Sequence, residues 1–498
     1  MKFHYRCGGL HVSMTDPPGK SHSVLKALCR LACLLLVLPA AEPTVAQSQS
    51  RPNIVVIMAD DLESGTLQHF PNITRELVQQ GATFDRHFVT NSWCCPSRSS
   101  ILRSQHVHSH GVLTNTAPEG GFHRFHELDL ERSTIGTWMQ QAGYRTALMG
   151  KFLNHYPGGS APETYVPPGW NDWRVPVRAL YQEYGYRLNE NGTLRDYGWG
   201  ERDYLSDVLA GYARAFIKAS DQPFFLFLNP VGPHNPANPA YRHAEAFPTE
   251  AAPRTPSFNQ DDISAEPLWM QMLPPLSRRA KAAIDERHRT RLRSMLGVDD
   301  LVGSVLSALR ESGKLDSTYI FFTSDNGFHL GTHRIKHGKT TPFEEAIRVP
   351  LVVRGPGVEP GSTITHMTAT IDFAPTIAEL GGATVPDFAE GRSLVPLLRG
   401  QPPPQWRKQV LVEFVRPASR ASARQTPVPA YQALRTEQYT YVRYETGERQ
   451  LYDLDEDPYQ LDNLIMSADL SLLSRLDRRL SAMVSCSGAS CRQADMAE

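Results

Sequence analysis

Ile54-Val55-Val56-Ile57-Met58, preceded by Arg51-Pro52-Asn53 and followed by Asp60-Asp61, is a mostly β-branched apolar run that ends on two carboxylates. Such a run predicts a strand buried on both faces of a parallel sheet. Three further runs repeat the pattern. Residues 146–149 lead into Gly150-Lys151, 224–228 precede Pro233-His234-Asn235-Pro236, and 319–323 lead into Ser324-Asp325-Asn326-Gly327. Helices are predicted over 74–80, stopped by Gly81, and over 134–142. Leu292, Met295, Leu296, Val302, Val305, Leu306 and Leu309 recur at helical spacing, the stripe of a core-facing helix. This alternation predicts an α/β fold over residues 51–400, a large mostly parallel sheet sandwiched by helices. In such folds, sites gather beyond the carboxyl ends of the strands.

Around residue 400 the texture changes. The Pro-rich, polar stretch 400–404 marks a boundary. Beyond it, 410–415, 431–435, 439–444 and 450–454 read as short strands, with Glu445-Thr446-Gly447-Glu448 as a turn. Residues 470–483 read as an amphipathic helix. A smaller antiparallel sheet with a helix against it is therefore expected over 405–498.

The 498 residues are 41% hydrophobic and 21% charged, with a formal net charge of −1. That balance gives no electrostatic footprint for a nucleic-acid partner. At the N-terminus, Lys20, Lys26 and Arg30 precede the apolar run 31–38, and Thr44-Val45-Ala46 offers a small-residue cleavage site. Residues 1–46 read as a signal peptide. The run is short of the ~20 residues of a membrane span. The mature chain is thus expected outside the cytoplasm, periplasmic or secreted, with no membrane partner. Cys7, Cys29 and Cys33 would leave with the leader. Cys486 and Cys491 are close in sequence around Gly488, which predicts a small disulfide loop, with two free thiols as the alternative. Cys94-Cys95 are neighbours, which bridge only with strain.

The predicted strand ends bring together Asp60, Asp61, Asp325 and Asn326, an all-oxygen set that suits a hard divalent cation such as Ca²⁺ or Mg²⁺. Lys151 and His234 fall at the ends of the other two strands.

Cys94-Cys95-Pro96-Ser97-Arg98 resembles the C-x-P-S-R signature of the formylglycine-dependent sulfatases, within the alkaline phosphatase superfamily. Asp60-Asp61, Gly150-Lys151, Pro233-His234, the run 323–327, Lys339 before Phe343-Glu344, and Leu451-Tyr452-Asp453-Leu454 extend the resemblance over nearly everything after residue 50. The branch most resembled is that of the N-acetylglucosamine-6-sulfatases and bacterial arylsulfatases. The resemblance implies that Cys94 is oxidised to the aldehyde 3-oxoalanine (formylglycine) by a formylglycine-generating enzyme during export. It implies that Asp60, Asp61, Asp325, Asn326 and residue 94 hold the cation. Arg98, Lys151 and Lys339 would surround the sulfate, and His234 would protonate the leaving oxygen. The substrate would be a sulfated sugar, glycan or aryl ester; His329, which with His333 follows the metal-binding run, is expected to contact its sugar or aryl part, with simple exposure as the alternative. The hydrated aldehyde offers two hydroxyls: one attacks sulfur to give a covalent sulfate ester, and the other then expels sulfate. The compartment would be lysosomal in a eukaryote.

Two departures stand out. Leu153 occupies a position where many of these enzymes carry His, and Arg103-Ser104 follows Leu102 where Thr-Gly is usual. Two other readings stay open: a phosphodiesterase or phosphonate hydrolase of the same superfamily, and a non-catalytic binding protein that keeps the fold.

Overall fold

The computed structural model describes residues 51–417 and 427–497. The expected signal peptide over 1–46, with Cys7, Cys29 and Cys33, lies outside the described residues. In chain order the first strands are β1 (Asn53–Ala59), β2 (Ala82–Phe84), β3 (His87–Phe88), β4 (Arg145–Gly150), β5 (Asp172–Arg178), β6 (Arg187–Glu190), β7 (Thr193–Asp196) and β8 (Phe224–Asn229). They continue with β9 (Thr318–Ser324), β10 (Leu351–Arg354), β11 (Ser362–Ile364) and β12 (Thr368–Ala369), then β13 (Gln409–Phe414), β14 (Tyr431–Thr436), β15 (Tyr439–Tyr444) and β16 (Arg449–Asp453). The helices used below are α1 (Cys94–Arg103), α2 (Ile135–Gln141), α3 (Leu205–Lys218), α4 (Arg278–Glu311), α5 (Phe373–Gly381) and α6 (Leu470–Val484).

The large sheet has the order β11-β2-β10-β9-β1-β8-β4-β5-β6-β7. Its centre is parallel: β1 lies between β9 and β8, and β4 lies between β8 and β5. The flanks turn antiparallel through β10 on one side and the β5-β6-β7 meander on the other. The sheet is therefore mixed: the expected parallel strands form its middle, and β11 and β2 pair parallel again at one edge.

β1 shows why the middle is apolar on both faces. Ile54, Val56 and Met58 join a core formed with α1, α2 and α5, while Val55, Ile57 and Ala59 join one formed with α3 and α4. Alternate residues feed opposite layers, as the two-residue period of a strand requires. The predicted stripe from Leu292 to Leu309 lies inside α4 and packs into the second layer. The helix expected over 74–80 is a π-type turn at Thr74–Val78, continuing a short helical turn at Pro71–Ile73. Gly81 ends it by close approach, since a Cβ there would stand 2.4 Å from the Val353 carbonyl oxygen.

β13 to β16 form the second sheet, antiparallel throughout, with α6 against it through Leu476, Leu480 and Met483. Arg51–Glu498 form one compact unit, so this sheet is built onto the main body. The Glu413 N–H donates to the Thr90 carbonyl (3.0 Å), and the Asn91 amide donates to the Glu413 carbonyl (2.6 Å). Cys486 and Cys491 are joined as a disulfide. Among the described residues, no helix is long and apolar enough to cross a membrane.

Candidate active site

β1, β9, β8 and β4 run parallel, so the residues that follow them meet at one end of the sheet. Asp60 and Asp325 each continue a register in which Ala59 pairs with Ser324, and so lie side by side. The Asp61 N–H donates to Asp325 Oδ1 (3.1 Å) and the Leu62 N–H to Ser324 Oγ (2.8 Å), which turns the chain sharply after β1. Asp61 takes φ +70°, left-handed backbone that Asp tolerates better than most residues. After β4 the turn needs Gly150. Its φ is +98°, and a Cβ would stand 2.0 Å from the Asn229 carbonyl oxygen. That turn delivers Lys151.

α1 brings the other half of the cluster. Cys94 is its first residue, and all of α1 is buried. Asn91 Oδ1 accepts from the Trp93 N–H (2.8 Å) and Asn115 Oδ1 from the Cys95 N–H (2.8 Å), fixing the entry to the helix. Cys94 Sγ lies 3.7 Å from Asp60 Oδ1, 4.0 Å from Asp61 Oδ1 and 2.7 Å from Lys339 Nζ. Cys95 turns the other way, into the apolar core. One turn on, Arg98 Nε donates to Asp325 Oδ2 (2.7 Å) and its Nη1 to the Lys151 carbonyl (3.0 Å), while Nη2 has no hydrogen-bond partner among the described residues.

Three carboxylates thus face three cations. Lys151 Nζ reaches Asp60 Oδ2 (2.6 Å) and approaches Asp325 Oδ2 (3.8 Å). Lys339 bonds Asp61 Oδ1 and lies 3.4 Å from Asn326 Oδ1, and the Asn326 amide donates to Asp61 Oδ1 (2.7 Å). Burial alone would raise the Asp60 pKa, but Lys151, His234, Arg98 and Lys339 together hold it well below the carboxylate range. Asp325 moves the opposite way, raised by burial and by Asp60 beside it. Burial pushes the Cys94 thiol up to about 12, so as a thiol it is neutral at physiological pH and a weak nucleophile.

His234 follows β8. Its Nδ1 lies 2.7 Å from the Asn235 carbonyl, which can only accept, so Nδ1 carries the proton and Nε2 faces Asp61 Oδ2 at 3.8 Å. Burial lowers its pKa against the pull of Asp60 and Asp61. A cavity of about 310 Å³ opens over Asp61, His234 and Lys339, with Trp93, Trp269 and Phe328 among its walls.

Residues 52–383 match the family model described as Sulfatase. The chain belongs to the sulfatase family. Residues 331–485 also match the model for the N-sulphoglucosamine sulphohydrolase C-terminal region. The sulfatase is 32% identical to the N-acetylglucosamine-6-sulfatase of Homo sapiens, over 93% of this chain and 90% of that protein. A solved protein bound to its substrate D-glucosamine-2-N,6-O-disulfate superposes with a TM-score of 0.74 at 24% identity, covering 90% of this chain and 99% of that one. The phosphonate monoester hydrolase of Agrobacterium radiobacter shares the fold, with a TM-score of 0.69 at 23% identity over 86% and 95% of the two chains.

Of the residues expected at the sulfatase's site, Asp60, Asp61, Cys94, Arg98, Lys151, His234, Asp325, Asn326 and Lys339 converge. His329 does not. Its ring is fully buried, with Nδ1 2.6 Å from Thr332 Oγ1 and Nε2 2.7 Å from Thr341 Oγ1. It backs Thr341, which lines the cavity, and has no nitrogen left for a ligand. Its adjacency to the Asp325 run suggested substrate contact, and burial of the whole segment removes it.

The two departures are accommodated. Leu153 packs in the apolar core. Arg103 sends its guanidinium to Gln105 Oε1 (2.7 Å) and to the carbonyls of Leu130 (3.0 Å) and Ser133 (2.7 Å). Ser104 ends α1 at φ +58°, where Gly is the easier residue, and its hydroxyl donates to the Ile371 carbonyl (2.7 Å).

Two side chains at the site had no sequence motif to mark them. Arg291, from α4, donates to the Asp61 carbonyl (2.5 Å) and the Pro233 carbonyl (3.1 Å), tying together the loops that carry Asp61 and His234. Tyr181, in the loop between β5 and β6, stacks on the His234 ring at 3.9 Å and 16°, and Lys151 Nζ lies 5.2 Å from its centroid. Glu183 anchors that loop to the start of α3: its carboxylate accepts from the Ser206 N–H (3.2 Å), and its carbonyl from the Leu205 N–H (2.8 Å).

Tyr181 holds the imidazole plane. A ring pair of this kind is worth about 0.5–1.5 kcal/mol, so Tyr181→Ala is expected to lower kcat by up to about tenfold and to shift the pH–rate profile. Tyr181→Phe keeps the stack and should keep the profile. Equal losses in both variants would show that the hydroxyl, 3.2 Å from Asn154 Nδ2, matters instead.

Proposed function

We propose that this protein is a sulfuric-ester hydrolase acting on the sulfate ester of a sugar or aryl alcohol, with residue 94 as the nucleophile. The observation that carries the reading is the meeting of Asp60, Asp61 and Asp325 with Arg98, Lys151 and Lys339 around Cys94 Sγ. A neutral core would not gather these charges, because each costs several kcal/mol to desolvate.

The donor set fits a hard divalent ion. Oxygens of Asp60, Asp61 and Asn326 converge beside residue 94, and the Lys339 ammonium already stands as a cation among three of these groups. Asp60, Asp61, Asp325, Asn326 and residue 94 would hold Ca²⁺ or Mg²⁺, which supplies Lewis-acid charge to an oxygen bound there. Oxidation of Cys94 to 3-oxoalanine by a formylglycine-generating enzyme would, after hydration, supply a hydroxyl in place of the neutral thiol.

The chain's own residues do the rest. Arg98, Lys151 and Lys339 stabilise charge on the transferring sulfuryl oxygens, and they are fixed before substrate arrives by their carboxylate partners. To act as the acid, His234 must be doubly protonated, a form that Asp60 and Asp61 favour; it would then hand the Nε2 proton to the departing alcohol oxygen while Nδ1–H stays on the Asn235 carbonyl. Trp93 and Trp269 offer flat apolar faces for the sugar or aryl part of the substrate. Export, with cleavage near Ala46, would place the enzyme in an oxidising compartment, in keeping with the Cys486–Cys491 bond.

The test compares purified protein on an aryl sulfate and an aryl phosphodiester. A higher kcat/KM on the sulfate is expected. Much faster turnover of the phosphodiester would move the protein to the phosphonate-hydrolase reading that its fold also permits.

A further inference from the structure

The cavity over Asp61, His234 and Lys339, beside residue 94, is small for a ligand pocket, with room for about one sugar ring. Any longer substrate must continue outside it. Two of its wall residues also belong to neighbouring clefts. His337 lines a second cleft together with Arg279, Arg287 and Lys336, and Asn235 lines a third, again with Arg287. Arg287 Nη1 donates to Asn235 Oδ1 (2.8 Å), so the guanidinium stands at the junction of all three.

These cations are uncompensated. Arg279 and Lys336 are exposed and Arg287 is half-buried, and among the described residues none of the three forms an ion pair with a carboxylate. The acidic groups nearby are committed elsewhere. Glu286 pairs with Arg289 and Arg293, and Asp285 pairs with Arg254. Further along the same helix, Arg310 pairs with Glu76. The excess is local, because the whole chain carries a formal net charge of only −1. Arginine suits planar, two-point binding of an oxyanion, and an adjacent lysine adds a mobile point charge.

We propose that Arg279, Arg287 and Lys336 form a second oxyanion subsite, which binds a sulfate or carboxylate on the sugar unit next to the one whose ester is cleaved. The inference rests on the sulfatase reading above and narrows it. The preferred substrate is a saccharide with at least two anionic groups, one over residue 94 and one over this cleft.

Binding is measured by titration calorimetry on the full-length Cys94→Ala protein, which retains ligand without turning it over. The ligands are a monosulfated sugar, the same sugar extended by a sulfated unit, and the same sugar extended by a uronic acid. At least one extended ligand should bind about fivefold or more tightly than the monosulfated one. Arg279→Glu combined with Lys336→Glu should remove that advantage and flatten its dependence on salt, leaving affinity for the monosulfated sugar within about twofold. Which extension gains shows whether sulfate or carboxylate is the ligand. The proposal is overturned if neither extension gains, if the gain survives the double variant, or if all three ligands weaken equally. Turnover of an aryl sulfate by the Cys94 protein is scored separately. Its failure would sink the catalytic assignment and leave the binding result to be judged alone.

Discussion

Replacing Cys94 by Ala is expected to abolish aryl sulfate turnover, by about ten-thousandfold or more, while thermal unfolding moves by only a few degrees. The loss is large because no other nucleophilic side chain shares the position. Cys95 faces the apolar core, and Ser97 Oγ is spent on the Asp325 carbonyl (2.5 Å). The fold survives because Ala keeps the helix start, where Asn91 and Asn115 already satisfy the backbone N–H groups of Trp93 and Cys95. Activity is followed with a chromogenic aryl sulfate and folding by calorimetry. Retained turnover would mean that the reaction proceeds without residue 94.

Lys151→Ala is expected to destabilise the protein by about 3–5 kcal/mol, because it strands buried carboxylates without their counter-charge. Lys151 and Asp60 have no exposed side-chain surface, and Asp325 lies 3.8 Å from the same ammonium. Arg98 would then be the nearest cation to both carboxylates, with Lys339 beyond it. A divalent ion bound by these carboxylates offsets part of the loss, so added Ca²⁺ should raise the denaturation midpoint of the variant more than that of the parent, and a chelator should reverse the gain. Activity should fall by about a hundredfold or more even with the ion present, since in the proposed mechanism the ammonium also stabilises the transferring group. Identical midpoints with Ca²⁺ and with chelator would remove the case for a metal at this cluster.

The parts of this site that were legible in the sequence are those set by local pattern. Residues 54–58, 146–149, 224–228 and 319–323 are apolar enough to be strands wherever they sit, and the polar residue after each strand follows its direction. Once the four run parallel, Asp60, Lys151, His234 and Asp325 must meet. The C-terminal strands and the Cys486–Cys491 loop were legible for the same reason. The antiparallel flanks were not: β10 takes its place by pairing with β2, far away in sequence, and the short, polar β6 and β7 carry no apolar run to mark them as strands. Tyr181 and Arg291 were invisible for a related reason. A loop residue and one arginine on a 34-residue helix gain a role only through the path the chain takes in space. His329 shows the converse: proximity in sequence to Asp325 put it near the site, and packing then closed it off.

The bonds between Glu413 and the Thr90–Asn91 pair also impose an order in time. Trp93 rests against Phe414, with ring centroids 5.7 Å apart, and Cys94 beside it has no exposed surface. The strand that closes this region, β13, lies more than three hundred residues later in the chain than Cys94. In a chain made from its N-terminus, the contacts of Asn91 with Glu413 and of Trp93 with Phe414 can therefore form only once the last fifth of the protein is being made.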